Sequence, residues 1–119
     1  MDRRREMKAA NSLKKNDDFR RVYRQKNSIA NKLFILYIKK NDLDYSRAGF
    51  TVSKKIGKAV VRNKVKRRMR EVYRLKEKNI VKGYDLVLVA RERCSEATYK
   101  EIESGILHIL RKKNLILRA

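Results

Sequence analysis

The sequence predicts one α+β domain, and three observations carry that reading. The chain has 119 residues, room for a single domain with a modest core. Hydrophobic residues make up 42% of it, enough to build that core and too many for wholesale disorder. They fall into two kinds of pattern. Some are short apolar runs rich in β-branched and aromatic types; others recur every three or four positions along longer stretches.

Residues 1–12 show no periodicity and are expected to form a mobile basic arm on this single domain, 1–119. A helix is expected from Asp17 to Gln25. Asn16 would be its N-cap, Asp17 and Asp18 suit the positive end of the helix dipole, and Phe19, Val22 and Tyr23 share one stripe. A short edge strand is expected over Ser28–Ala30. Leu33–Ile38 is an apolar run too short for a helix, and reads as a strand covered on both faces. Asn41–Asp44 reads as a turn and Arg47–Val52 as the antiparallel return strand. Ser53–Gly57 is a basic loop leading into a helix over Ala59–Lys78, about 30 Å long at 1.5 Å per residue. Val61, Val65, Met69 and Val72 are its buried stripe. Gly83 closes that region, and Tyr84–Ala90 is a buried strand. Thr98 and Glu101 have the spacing of a capping box, opening a last helix with Ile102, Ile106, Ile109 and Leu110 inward. The order is α-β-β-β-α-β-α, without internal repeat.

Charge narrows the function. Lys and Arg number 34 against 13 Asp and Glu, a net +21 with a pI near 10.5. Such a surface repels itself and suits a polyanion, nucleic acid first and an anionic membrane second. No apolar run approaches the roughly 18–20 residues of a membrane span. The start, Met1–Glu6, lacks the apolar stretch of a signal peptide, and the lone Cys94 fits a reducing compartment; a cytoplasmic location is expected. One cysteine and one histidine, His108, cannot make a structural zinc site. The acids Asp17, Asp18, Asp42 and Asp44 are accounted for by a helix start and a turn. No catalytic residue and no protein-bound metal are therefore expected.

Residues 53–82 hold 13 Lys or Arg and only Glu71 and Glu77 as acids, +11 in 30 residues. Arg62, Lys66 and Arg70 recur every four positions, with Asn63, Arg67 and Arg74 beside them. A solvated salt-bridged face would alternate acids with bases, and here the acids are nearly missing. A membrane-surface helix would carry Leu or aromatic anchors, whereas Val61, Val65, Met69 and Val72 look like core. The guanidinium fork suits bidentate phosphate contact, so nucleic acid is the favoured partner.

The run Arg47-Ala48-Gly49-Phe50-Thr51-Val52-Ser53-Lys54-Lys55-Ile56-Gly57, continuing through Arg62-Asn63-Lys64-Val65-Lys66-Arg67, resembles the signature of the bacterial ribonuclease P protein subunit. Asp18–Tyr23 upstream and Tyr84–Arg91 downstream extend the resemblance over nearly the whole chain. It implies a two-layer α+β sandwich with a mixed sheet and a left-handed βαβ crossover around the basic helix, an exception to the usual hand. It also implies a protein cofactor of ribonuclease P. A catalytic RNA, with its own Mg2+, would remove the 5′ leader of precursor tRNA, with no further protein partner and no membrane involved. By the same resemblance Arg62, Asn63, Lys64, Lys66, Arg67, Arg68 and Arg70 bind the catalytic RNA. The leader would lie in a cleft with Phe19, Tyr23 and Tyr37 as stacking residues and Lys54 and Lys55 on its phosphates. Phe34 and Phe50 are read as core. The family often has glycine after the first helix; here Asn27 is expected to take the left-handed conformation. A ribosomal RNA-binding structural protein is the alternative, and a major-groove DNA binder ranks third, for want of a helix-turn-helix pattern.

Overall fold

The computed structural model describes residues 12–117. The expected elements are present: helix α1 (Asn16–Arg24), strands β1 (Ser28–Ala30), β2 (Phe34–Lys40) and β3 (Arg47–Thr51), helix α2 (Ala59–Lys76), strand β4 (Tyr84–Ala90) and helix α3 (Tyr99–Lys112). The expected arm lies outside the described residues except for Ser12, which bridges Ala48.

The four strands form one mixed sheet in the order β1-β2-β4-β3. This corrects one expectation. Arg47–Thr51 is not the antiparallel return of β2; it pairs in parallel with β4, which in turn runs antiparallel to β2. The reason is that β4, apolar and buried over most of its length, takes the centre, where both edges and both faces are covered. The 41–46 loop holds it there. Asn41 N–H donates to Gly83 O at 3.0 Å, Ser46 Oγ donates to Val81 O at 2.7 Å, and Tyr84 N–H donates to Ser46 Oγ at 3.0 Å. Arg47 then grips its register partner Asp85 through two bonds, Nε to Oδ1 at 2.8 Å and Nη2 to Oδ2 at 2.6 Å. β3–α2–β4 is thus a crossover between neighbouring parallel strands.

Register separates the two faces. Phe34, Leu36 and Ile38 of β2 align with Ala90, Leu88 and Leu86 of β4, and the latter two with Phe50 and Ala48 of β3. On this face lie Val65, Met69, Val72 and Tyr73 of α2 and Ile102, Ile106, Ile109 and Leu110 of α3, forming the main core. The Thr98 box closes α3's first turn: Glu101 N–H donates to Thr98 Oγ1 at 3.1 Å and Thr98 N–H to Glu101 Oε1 at 2.8 Å. Among the described residues, α1 packs on the other face, with Leu13, Val22 and Val87 forming a small cluster, and the rest of that face is a cleft.

Two local expectations shift by one residue. Lys15, not Asn16, is the N-cap of α1, and its side chain makes no capping bond. Asp17 and Asp18 supply the favourable charge instead, pairing with Arg20 at 3.5 Å and Arg21 at 3.1 Å. Lys26, not Asn27, takes the left-handed conformation, with φ 54°. Asn27 O already accepts Ile38 N–H at 2.9 Å, which draws Asn27 alongside β2 and leaves the reversal to its predecessor.

Candidate nucleic-acid interface

The basic residues of α2 separate by angle, because successive positions turn by about 100°. Asn63, Lys66, Arg67, Arg70 and Arg74 come together on one side. They line a groove of about 600 Å³ whose opposite wall is Leu13, Lys14 and the edge of β3. Arg62 does not line the groove; its Nε donates to Gly57 O at 3.2 Å, which ties the helix to the preceding basic turn. Gly57 itself has φ 153°, so the turn between Lys54–Ile56 and α2 depends on its missing side chain. Lys64 is exposed outside the groove. Arg68 is half-buried on the far flank, its Nη1 donating to Ala97 O at 3.1 Å, and so braces α2 against the segment before α3.

Packing cations this closely leaves a mark. Partial burial, then the neighbouring Arg70, lowers the pKa of Lys66 below the ordinary lysine value. Glu71 is the groove's one acid; it accepts Arg74 Nη2 at 2.7 Å and Nε at 3.2 Å, fixing the orientation of that guanidinium. A phosphate entering here would relieve repulsion already present in the free protein.

The second surface is the cleft beside α1. Tyr23 and Tyr37 meet edge to face, ring centroids 4.8 Å apart, and the Tyr23 hydroxyl and Thr51 Oγ1 lie 3.2 Å apart. Phe19 is half-buried against Gly49, where a methyl group would come within 2.5 Å of its Cζ. The structure thus brings all three aromatic residues to one face, with Phe19 tied most closely into packing. Phe34 and Phe50 are buried on the opposite face, as expected. Past the tyrosines the cleft floor continues through Ile35 and Val89 to a pocket of about 550 Å³ with Ser53 and Lys55 on its rim. Lys54 is exposed on the same turn. Lys32, Arg91 and Arg93 join Lys55 around that pocket. No sequence pattern singled them out, since they are scattered along the chain and converge only because β2 and β4 are neighbours; the Arg closing Tyr84–Arg91 was the one available signal.

Apolar and aromatic floors with cationic rims can hold a polyanion by stacking and charge. They offer little else. Among the described residues no three His, Cys, Asp or Glu gather as a metal site. His108 is exposed, its Nδ1 3.2 Å from Asn31 Nδ2, and the Cys94 thiol is buried and donates to Leu33 O at 3.1 Å. No helix among the described residues is long and apolar enough to cross a membrane.

Comparison with known proteins gives a consistent result. The family model described as Ribonuclease P matches residues 7–114. The chain is 56% identical over 110 residues to the ribonuclease P protein component of Alkaliphilus oremlandii, covering 92% of this chain and 96% of that one. Against its counterpart in Alkaliphilus metalliredigens the identity is 57% over 110 residues, 92% and 99% of the two chains. Among solved structures, the RNase P protein of Staphylococcus aureus superposes with a TM-score of 0.83 at 36% identity, over 89% of this chain and 97% of that one. That of Thermotoga maritima gives 0.78 at 34% identity, over 85% and 96%.

Proposed function

The chain belongs to the ribonuclease P protein family, and from that premise we propose that its two basic surfaces serve two different RNAs. As the protein component of ribonuclease P, it is a subunit of the endoribonuclease that matures tRNA 5′ ends, with the catalysis in the RNA. The α2 surface around Arg62, Asn63, Lys66, Arg67 and Arg70 docks on the catalytic RNA, with Lys64 at its margin. The cleft holds the leader of precursor tRNA, with bases against Phe19, Tyr23 and Tyr37 and phosphates along Lys54, Lys55 and the cations beside them. The observation that carries this division is the chemical difference between the surfaces. One is a cation-lined groove on a rigid helix; the other has an aromatic floor open along its length, the form suited to a single strand.

In this reading Mg2+ acts with the catalytic RNA. The protein's part is to orient the substrate and screen phosphate repulsion, so less free Mg2+ is needed. A cytoplasmic location, with the RNA and its substrate, follows from this role.

Reconstitution with a bacterial ribonuclease P RNA tests the proposal. The protein alone should leave precursor tRNA intact, and together with the RNA it should restore cleavage at low Mg2+. Alanine at Arg62, Lys66, Arg67 and Arg70 should weaken assembly. Alanine at Phe19 or Tyr37 should weaken binding of leader-bearing substrate and spare leaderless tRNA. Equal losses on both substrates would refute the leader assignment, and an unchanged Mg2+ requirement would refute the role itself.

A further inference from the structure

Asn63 is the one neutral side chain in the row that faces the groove of α2, among Lys66, Arg67, Arg70 and Arg74. A surface meant for phosphates alone gains nothing from a carboxamide there. An amide carries a donor and an acceptor side by side, which is what a base edge presents, and Asn is a bidentate partner of adenine. The groove floor is also unlike a phosphate track. That floor is the outer edge of β3, where Ala48 and Phe50 are each under a tenth exposed and Leu13 lies alongside. Leu13 N–H donates to Ala48 O at 2.9 Å, so the Ala48 peptide faces the outer edge of β3. Alternation along a strand turns the Phe50 peptide, with its N–H and C=O, to that same edge two residues on. The volume, about 600 Å³, lies within the range of about 300–1,000 Å³ typical of small-ligand sites.

We propose that this groove captures a single unstacked nucleotide of the catalytic RNA. The base lies along the β3 edge at Ala48–Phe50 with its own edge read by Asn63, while Lys66, Arg67, Arg70 and Arg74 hold the flanking phosphates. Glu71 acts as a positioning residue, keeping the Arg74 guanidinium on the groove wall through their two bonds. In this groove an amide, cations and a strand edge meet. The ligand this combination fits is a nucleotide pulled from its stack, not a continuous duplex backbone. The inference rests on the assignment of α2 to the catalytic RNA and adds a base-specific site to it.

The test is chemical probing of the bacterial ribonuclease P RNA with dimethyl sulfate, which modifies unpaired adenine N1 and cytosine N3. The full chain is used as wild type, as Asn63→Ala and as Asn63→Trp, which fills the groove; position 63 is exposed, so both variants should fold. One or two nucleotides reactive in the free RNA should be protected by the wild type and exposed again in both variants. Affinity should fall about 5- to 150-fold, the range of one stacked or bidentate base. The log–log salt slope should stay constant, because no charge is removed. Substituting the protected base should weaken wild-type binding as much as Asn63→Ala does, and should cost nothing further in Asn63→Ala. An unchanged footprint in both variants, with full affinity, would overturn the nucleotide site. If the quadruple alanine variant at Arg62, Lys66, Arg67 and Arg70 still lost binding and salt slope, the docking assignment would survive that result. A wild-type protein that failed to bind the RNA at all would overturn both.

Discussion

Gly49 matters to the cleft through what it lacks. The Phe19 ring lies where a side chain would be, 2.5 Å from the place of a methyl group, and Leu13 Cβ is 3.2 Å away. Gly49→Ala should push Phe19 off β3 and cost about 1–3 kcal/mol by overpacking, read as a lower urea midpoint together with weaker leader binding. An unchanged midpoint would mean that the ring does not rest on the strand. Cys94 is a second case where surroundings decide behaviour. Burial pushes its thiol from 9.0 up to about 11, outweighing the stabilising backbone bond from Arg91. The folded state therefore favours the neutral thiol. Its contribution to stability is complete below pH about 9 and is lost as pH rises from there to about 11. Iodoacetamide at pH 8 should modify Cys94 slowly in the native protein and fully in urea; rapid native labelling would show the thiol to be accessible. Tyr73, raised in the same direction by burial and then by Glu77, adds to the alkaline loss.

Among the elements, features that are local in origin are legible in the sequence. The Thr98–Glu101 box is two bonds within one turn, so its spacing in sequence was sufficient evidence. Thr98→Ala should cost about 1 kcal/mol in denaturation, and no change would mean that α3 is held by packing alone. The buried stripe of α2 was legible for the same reason, although Tyr73, a core residue packed edge to face on Phe50, was missed beside it. The start of α1 moved by one residue because acids at its first turn can replace a side-chain cap. The parallel pairing of β3 with β4 was legible only through the family resemblance and its βαβ crossover; the place of β4 between β2 and β3 was not. Proximity in sequence favours a hairpin with β2, and only the bonds from 41–46 to 81–84 and the Arg47–Asp85 pair place β4 between them.

For the whole molecule, the net +21 acts on the fold and on its partner with opposite signs. Screening relieves self-repulsion in the free protein, so the melting temperature should rise between about 0.02 and 0.5 M salt. RNA affinity should fall over the same range, with alanine at Arg62, Lys66, Arg67 and Arg70 removing about 0.7–0.9 of log–log slope for each lost phosphate contact. A melting temperature that fell with salt would show that native ion pairs outweigh the repulsion. Lys66 gives the complex a pH dependence as well. Its pKa is lowered in the free protein and phosphates favour the charged form, so affinity should be highest below that lowered value and decline as pH climbs through it.

The sequence by itself determined the elements, the core stripes of the helices, the polyanion partner and, through its ordered motifs, the family. All of these depend on short-range spacing and composition, which a linear chain displays directly. The tertiary structure alone decided that β4 separates β2 from β3, that Arg68 braces the fold, and that Leu13 and the edge of β3 wall the groove facing Asn63 and Arg74. It also decided that Lys32, Arg91 and Arg93 join Lys55 at the end of the cleft. These facts depend on which distant segments lie side by side. That is settled by burying β4 on both faces and satisfying its edges, a constraint no window of sequence contains.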